Sequence, residues 1–326
     1  MSDSCPLCGG VERPVVSEQS RNGGPLRTVI CMDCGIVVND PIPSDGELAQ
    51  FYRTDYRTQY KGLAEPRMRQ VWRNFSYMAK HINAFRDFYR DRERCLDMGA
   101  GSGEFMYLAS NIGIDCLGIE PDEKYSAYCR DRLGLSVRSQ TLEESDFSDG
   151  SFDLIRLSHV LEHMRDPVRS LKTLRRWLSD DGLIYIEVPN IDREAAAKMR
   201  GRIFHFGHIF NFNPWNLRAA ALLAGLEEHP GSLRANAGET MGFFRKAIIA
   251  SGPRDIVNRP KAQFTFNALA DHYRHALPRP TDGSAIGRGV EKVRQRLGEM
   301  FASRRFDRPE QIAEHFSEYL AGSFAR

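Results

Sequence analysis

Two sets of residues have the chemistry to bind a metal or to move a proton: cysteines near the start of the chain and histidines in its second half. Cys5 and Cys8 form one Cys-x-x-Cys pair, and Cys31 and Cys34 form another. Two such pairs supply four thiolates to one tetrahedral zinc ion, and a zinc ion with four protein ligands has a structural role. The spacing therefore predicts a four-cysteine zinc ribbon over residues 1–43.

The histidines are candidates for general acid–base chemistry, because imidazole titrates near neutral pH. The four that follow predicted strands are His159, His163, His205 and His208. His205 and His208 are only three residues apart. The sequence places no carboxylate near this pair to complete a metal site, so we expect them to act through proton transfer or packing.

A predicted strand, a glycine turn and a helix lie at the centre of the chain. Cys95 to Met98 form the strand, glycines occupy positions 99, 101 and 103, and Glu104 to Ala109 begin the helix. This order starts a βαβ unit that binds a nucleoside-like cofactor at the end of the strand. A dinucleotide-binding turn has its third glycine at the position of Glu104, whose charge would repel a pyrophosphate.

The next predicted strand ends at Glu120, Pro121 and Asp122. A carboxylate at this position can bind both hydroxyls of a ribose. A ribose-binding carboxylate without a pyrophosphate cradle suits S-adenosylmethionine, which carries a sulfonium and a zwitterionic amino acid.

The run from Leu96 to Gly103 resembles the first motif of the class I S-adenosylmethionine-dependent methyltransferases. More specific are a strand that starts at Phe152-Asp153 and the sequence Leu161-Glu162-His163, followed by Asp166-Pro167. The resemblance spans about residues 95–249 and implies an α/β fold, a Rossmann-like doubly wound sheet of seven strands. The cofactor contacts that we expect are Asp97, Gly99, Ala100, Gly101, Gly103, Glu120, Pro121, Thr141, Leu142, Ser158 and His159.

Four consecutive segments follow from this interpretation. The zinc ribbon at 1–43 precedes a helical, aromatic-rich flank at 44–93, the methyltransferase core at 94–250 and a helical extension at 251–326. The flank either packs on the core or forms a lid that brings Tyr52, Tyr56 or Tyr60 near the substrate. The extension has three amphipathic stretches, which we expect to pack on the core or to form a homodimer.

Composition narrows the function classes. The 326 residues carry a formal net charge of +2, which does not favour a large nucleic-acid or lipid interface. There is no apolar run of membrane length and no signal-peptide pattern. We therefore expect a cytoplasmic enzyme.

The full layout is similar to sugar methyltransferases of antibiotic and surface-polysaccharide pathways. We expect His208 to be the general base and His205 to orient the acceptor; His163 is a further catalytic candidate that equally suits loop packing. The carbon-methylating branch has a Glu-His pair where this chain has Gly207-His208. That branch also has a long C-terminal domain, whereas only residues 251–326 follow the predicted core here. The sequence therefore favours O-methylation of a sugar hydroxyl, on a nucleotide-linked sugar, a surface glycan or a natural product.

Three alternatives stay open: sugar C-methylation, RNA modification in which the zinc ribbon binds the RNA, and a cofactor-binding regulatory subunit. For RNA modification, the chain has Ser158-His159-Val160-Leu161 where amino-directed nucleobase enzymes have an Asn/Asp-Pro-Pro-aromatic motif. It also has no Pro-Cys dipeptide, the motif that supplies the nucleophilic cysteine of cytosine-C5 enzymes.

Overall fold

The structure is a computed structural model that describes residues 4–44, 46–48, 50–51, 66–196, 203–235, 238–248, 252–274 and 283–324. The strands are β1 (Val15–Gln19), β2 (Pro25–Ile30), β3 (Val37–Asn39), β4 (Arg94–Met98), β5 (Asp115–Ile119), β6 (Val137–Arg138), β7 (Phe152–Ser158), β8 (Leu178–Pro189), β9 (Phe210–Asn211), β10 (Leu226–Glu228), β11 (Arg234–Ala235) and β12 (Glu239–Lys246). The helices are α1 (Met68–Ala84), α2 (Arg86–Tyr89), α3 (Glu104–Ser110), α4 (Glu123–Leu133), α5 (Pro167–Trp177), α6 (Ile191–Ala196), α7 (Pro214–Leu223), α8 (Arg259–Arg274), α9 (Gly283–Ser303) and α10 (Pro309–Phe324).

The chain folds into two compact units that do not follow its four predicted segments. Unit 1 comprises residues 1–61, 148–151 and 155–278, and unit 2 comprises residues 62–147, 152–154 and 279–326. The ribbon and the histidines lie in unit 1, whereas the glycine turn lies in unit 2. The four segment boundaries stay a prediction about domain organisation.

Unit 2 is a parallel α/β arrangement. β4 pairs with β5 and β5 pairs with β6, all in parallel, with Leu96 opposite Leu117. Helix α3 follows the glycine turn and buries Phe105, Met106 and Leu108, because its apolar residues recur at helical spacing. The alternation of strands and helices is the βαβ order that the sequence predicts.

Two helices from distant parts of the sequence pack together in unit 2. Helix α1, from the aromatic flank, places Trp72 against Phe316 of α10 with ring centroids 4.9 Å apart. Phe75 of α1 lies edge-on to Tyr107 of α3, at 5.9 Å. The aromatic residues of these two helices therefore belong to the packing of unit 2, and the homodimer stays a prediction.

Unit 1 contains an antiparallel set of strands and the ribbon. β12 pairs antiparallel with β8 and with β10, and the short strand β11 also pairs with β12. Asn213 is the N-cap of helix α7, and its side chain accepts from the backbone N–H of Asn216.

The ribbon sheet includes a strand from far along the chain. Its order is β1-β2-β3-β9, and β9 lies between β8 and β10 in the sequence. Leu26, Ile30 and Val37 of the ribbon share one apolar cluster with Phe204 and with Leu269 of α8. The ribbon is thus packed into unit 1 through a common core.

Helices α8, α9 and α10 lie where the three amphipathic stretches were predicted. No helix in the described parts of the chain is both long enough and apolar enough to cross a bilayer. The lid residues Tyr52, Tyr56 and Tyr60 fall outside the described residues.

Candidate functional site

The four ribbon cysteines converge as the spacing predicts. Their sulfur atoms all lie within 4.8 Å of one another. Cys5 Sγ is 3.7 Å from Cys34 Sγ, and Cys8 Sγ is 3.5 Å from Cys31 Sγ. Zinc–sulfur bonds of about 2.3 Å in a tetrahedron place the sulfurs about 3.8 Å apart. The cluster therefore fits a zinc ion held by four thiolates.

The ribbon also supports the histidine-containing segment that follows the core strands. Asn39, at the end of β3, donates its side-chain N–H to the carbonyl oxygens of Phe206 (3.1 Å) and His205 (3.4 Å). The side chain of Asn216 donates to the carbonyl oxygen of Cys34 at 2.7 Å. The Asn39 bonds thus hold the histidine segment to the end of β3, and the Asn216 bond holds helix α7 to a metal-binding turn.

His163, His205 and His208 come together in unit 1. The ring of His208 lies 4.9 Å from that of His163 and 5.2 Å from that of His205. His163 donates its Nδ1–H to the carbonyl oxygen of Gly207 at 2.6 Å, because a carbonyl only accepts. Three residues that the sequence analysis names as catalytic candidates thus lie close together, and their roles stay predictions.

His205 is the most enclosed of the three. Its side chain is 3% exposed, and its Nδ1 accepts from the backbone N–H of Gly207 at 3.1 Å. The ring also packs edge-on against Phe51, with centroids 5.5 Å apart. These contacts favour a role in shaping the site.

A buried carboxylate, Glu162, lies beside the histidines and corrects one expectation. We predicted no carboxylate near His208, yet Glu162, His163 and His208 each place a ligand atom within 4.8 Å of the other two. Glu162 Oε1 is 3.5 Å from His159 Nδ1 and 3.8 Å from His163 Nε2. The Leu-Glu-His sequence contained this residue, but only the folded chain brings it to His208, 46 positions later.

Burial and charge set the protonation of this cluster. Burial, followed by the charge of His163, lowers the pKa of His208 to about 4, and burial lowers the pKa of His205 to about 3. Burial by itself raises the pKa of the Glu162 carboxyl. The imidazoles of His159 and His163 have the larger combined effect, so the pKa of this carboxyl is lowered. Glu162 is therefore anionic at neutral pH, whereas His205 and His208 are neutral.

His159 is the open member of the group. Its side chain is 47% exposed, and its backbone adopts φ +55° at the end of β7. Burial opposes its charge, but the carboxylates of Glu162, Glu187 and Glu239 outweigh burial and raise the pKa of His159. The residue before it, Ser158, donates its hydroxyl to Glu187 at 2.7 Å. Both were predicted to contact the cofactor, and that contact stays a prediction.

The glycine turn of unit 2 has the geometry of a cofactor cradle. Gly99, Gly101 and Gly103 all have positive φ, at +74°, +56° and +80°, which favours glycine. A side chain at Gly101 would meet no atom closer than 4.0 Å, so this residue faces open space. Gly103 instead packs against Leu135 and has no room for a side chain.

Glu120 is fixed beside this turn. One carboxylate oxygen accepts from the backbone N–H of Gly101 at 2.8 Å, and the other accepts from Asp122 N–H at 3.0 Å. A carboxylate accepts several hydrogen bonds at once, so these contacts are compatible with ligand hydroxyls as further donors. The expected carboxylate thus lies at the glycine turn, where it fits a ribose diol.

Negative charge surrounds the turn. Glu104 is buried and accepts from Ser102 and Asn74. Burial and the charges of Glu104, Glu120 and Asp97 raise the pKa of the neighbouring Cys129 thiol. An electronegative cradle suits the sulfonium and ammonium groups of S-adenosylmethionine better than it suits a pyrophosphate.

The remaining predicted contacts of unit 2 lie at Ala100 in the turn, at Pro121 after β5, and at Thr141 and Leu142 in the loop after β6.

A cavity of about 370 Å³ lies in unit 1 between the ribbon hairpin and the histidine segment. It is lined by Ser20, Asn22, Gly24, Glu47, Gln50, Phe51, His205 and Phe206. The lining combines polar side chains with aromatic rings, as the linings of small-molecule pockets do. The sequence analysis did not identify the residues from positions 20–24, because they are separated from His205 by about 180 positions.

Comparison with known proteins identifies part of the chain. Residues 71–229 match the family model described as a methyltransferase domain. The chain is 29% identical over 109 residues to the ubiquinone biosynthesis O-methyltransferase of Rhizobium etli, a match covering 32% of this chain and 44% of that relative. It is also 29% identical over 99 residues to the uncharacterized methyltransferase YcgJ of Bacillus subtilis, covering 28% and 39%. The chain thus spans less than half the length of these relatives.

Among solved structures, the chain is similar to 1,6-didemethyltoxoflavin-N1-methyltransferase of Burkholderia thailandensis. The TM-score is 0.48 and the identity 18%, over 66% of this chain and 97% of that one. The match to the family model confirms the predicted fold class, a mixed α/β Rossmann-like fold with a central sheet and flanking helices. Residues 71–229 are thus similar to a methyltransferase domain.

Proposed function

We propose that this chain transfers a methyl group from S-adenosylmethionine to a hydroxyl oxygen of a sugar, in the cytoplasm. The methyltransferase domain supplies the reaction class. The sugar is nucleotide-linked or part of a surface glycan or a natural product, since all three present the same hydroxyl chemistry. Zn²⁺ in the cysteine cluster has a structural role in this proposal, because four thiolates leave no position for substrate.

The methyl donor is assigned to the glycine turn of unit 2. Glu120 accepts from the ribose hydroxyls, and the open space at Gly101 lets the ligand approach the backbone. The surrounding carboxylates favour the positively charged sulfonium. These interactions hold the donor, whose methyl carbon is already activated for in-line displacement.

The cavity of unit 1 is the single observation that carries the assignment of a sugar. Asn22 and Gln50 bring amides, Glu47 brings a carboxylate, and Phe51 and Phe206 bring rings. Amides and carboxylates match the donors and acceptors of sugar hydroxyls, and the rings match the apolar C–H face of a pyranose. Its volume of about 370 Å³ is of the size that small-molecule pockets have.

The acceptor hydroxyl must lose a proton during transfer, and the histidines of unit 1 supply the groups for this step. Glu162 orients His159 and His163 through its carboxylate. His208, predicted from the sequence as the base, lies in the same cluster. We therefore assign proton removal to this group of imidazoles.

A phenolic hydroxyl is the second candidate acceptor. The relatives named ubiquinone biosynthesis O-methyltransferase favour it, since their name specifies transfer to oxygen. The same cluster can deprotonate a phenol, whose hydroxyl is more acidic than that of a sugar. Sugars and phenols are therefore compared directly in the test.

The test measures formation of S-adenosylhomocysteine by the purified, zinc-loaded chain with nucleotide sugars, free sugars, catechols and an RNA transcript. We expect turnover with a nucleotide sugar. We also expect that Asn22→Ala and Phe51→Ala raise the KM for this sugar by about tenfold, the loss of ~1.4 kcal/mol of binding free energy, with donor affinity unchanged. Gln263→Ala, in the exposed part of α8, is the matched control.

Three results would contradict the proposal. Turnover of catechols without turnover of sugars would select the phenolic acceptor. Turnover of RNA alone would select nucleic-acid modification. Absence of donor binding by calorimetry would remove the enzymatic interpretation of this chain.

A further inference from the structure

Glu162 is a buried charge whose surroundings do not complete its hydrogen bonding. The residue is 1% exposed, and neither carboxylate oxygen has a hydrogen-bond donor among the described residues. Its nearest charged neighbours are the imidazoles of His159 and His163, at 3.5 and 3.8 Å. A buried carboxylate is costly unless a cation or several donors compensate it.

The orientation of His163 directs its Nε2 toward this carboxylate. Its Nδ1 donates to Gly207 O at 2.6 Å, and its Nε2 lies 3.8 Å from Glu162 Oε1. The ring therefore holds one nitrogen on the backbone and turns the other toward Glu162. Metal-binding histidines commonly donate their other N–H to a backbone carbonyl in this way.

His208 completes the set. One of its ring nitrogens lies within 4.8 Å of the ligand atoms of Glu162 and His163. Asn39 of the ribbon holds the segment that carries His208, through the carbonyls of His205 and Phe206. Metal–ligand bonds of about 2.0 to 2.2 Å allow ligand atoms to lie up to about 4 Å apart, so the cluster needs little closure to bind an ion.

We propose that Glu162, His163 and His208 bind one divalent transition-metal ion, with a coordination position left open for the acceptor oxygen. Two imidazoles and one carboxylate are a donor set that suits zinc and manganese. Ion binding itself is independent of the acceptor, whereas the role of the open position rests on the proposed O-methylation.

This site changes the role predicted for His208, because a nitrogen that binds a metal has no lone pair left for a proton. The bound ion lowers the pKa of the acceptor hydroxyl. The hydroxyl proton then passes to His159, the half-exposed imidazole beside Glu162. A bond forms between the acceptor oxygen and the methyl carbon as the carbon–sulfur bond breaks, leaving neutral S-adenosylhomocysteine and a protonated His159.

The test uses the full chain with zinc in the ribbon and needs neither donor nor acceptor. Mn²⁺ is titrated into the protein and followed by calorimetry and by the electron paramagnetic resonance signal of the free ion. We expect one Mn²⁺ per chain. We expect Glu162→Gln and His208→Ala to weaken its binding at least about tenfold. His272→Ala, which alters a histidine of α8 outside the cluster, is the matched control and should bind Mn²⁺ normally.

Zinc content and S-adenosylhomocysteine affinity report whether each variant is folded. If Glu162→Gln loses ribbon zinc, His208→Ala decides the test, because that side chain is only partly buried. The proposal is overturned if neither Mn²⁺ nor a second equivalent of Zn²⁺ binds, or if a folded His208→Ala variant binds Mn²⁺ as the wild type does. If Mn²⁺ binds while no sugar is methylated, the metal site stands and the proposed acceptor is wrong.

Discussion

The side chain of Asn39 donates to the carbonyl oxygen of Phe206 over 3.1 Å, which joins the ribbon to the segment that carries His205 and His208. The backbone N–H of Asn39 also donates to Ile209 O at 3.0 Å. Asn39 is fully buried, so water does not replace these bonds when they are lost. The position of the histidines thus depends on a residue of the metal-binding module.

Replacing Asn39 should therefore affect both stability and acceptor use. Asn39→Ala leaves the carbonyls of His205 and Phe206 without a buried donor, which costs about 1 to 3 kcal/mol of unfolding free energy. We expect the KM for the acceptor to rise and donor affinity to stay constant. Denaturant unfolding and steady-state kinetics measure these effects.

Asn111→Ala is the control, because Asn111 also donates to a backbone carbonyl, that of Tyr107, but in an exposed position. Its unfolding free energy should change by no more than about 0.5 kcal/mol. Equal effects of the two variants would contradict the role given to Asn39.

Removing zinc should separate acceptor chemistry from donor binding. The ribbon shares the sheet and the core of unit 1 with the histidine segment, whereas the glycine turn lies in unit 2. A chelator that extracts the ribbon zinc, followed by Mn²⁺ to refill the site at Glu162, His163 and His208, should abolish turnover, because structural zinc contributes directly to folding. Affinity for S-adenosylhomocysteine, measured by calorimetry, should persist.

Turnover should return when Zn²⁺ is added back to the chelated protein. Full activity after complete zinc removal would show that the cysteine cluster does not position the histidines.

The features that the sequence predicted are those that depend on neighbouring residues. The Cys-x-x-Cys turns and the glycine turn after β4 are each set within a few positions, and both are found where they were expected. Backbone conformation at a glycine follows from local sterics. The Rossmann-like fold followed from the family resemblance and from the order of strands and helices.

The features that were missed depend on contacts between distant positions. The pairing of β9 with β3 joins residues more than 170 positions apart, and no local pattern in a two-residue strand predicts it. Likewise, Glu162 was visible only as part of a motif, while its proximity to His208 comes from the tertiary fold. The contact of Asn39 with Phe206, across about 170 positions, is likewise not visible in the sequence.

Glu120 should control donor affinity. Its two carboxylate oxygens accept from Gly101 and Asp122, and Glu120→Gln replaces one acceptor by an NH₂ group that opposes these donors. We expect S-adenosylhomocysteine to bind at least about tenfold more weakly, equal to ~1.4 kcal/mol. Glu143→Gln, an exposed carboxylate of the same unit, is the control for loss of charge. Unchanged affinity in Glu120→Gln would remove Glu120 from the donor site.

Two glycines of the same turn should respond differently to alanine. A Cβ at Gly103 would lie 2.6 Å from Leu135 Cδ1 and 2.9 Å from Cys129 Sγ. Overpacking of about 1 to 3 kcal/mol then adds to a left-handed strain of about 1 to 2 kcal/mol, so Gly103→Ala should clearly destabilise the fold. At Gly101 the nearest atom is 4.0 Å away, and only the strain applies.

Donor affinity should fall more in Gly101→Ala than in Gly103→Ala. The Cβ of Gly101→Ala would point into the open space beside Glu120 that we assign to the cofactor. Thermal or denaturant unfolding of both variants ranks their stabilities. Calorimetry with S-adenosylhomocysteine ranks their donor affinities independently. We expect Gly101→Ala to remain folded at 25 °C and to lose most of its donor affinity. If it binds the donor as the wild type does, the open space beside Gly101 is not where the cofactor lies.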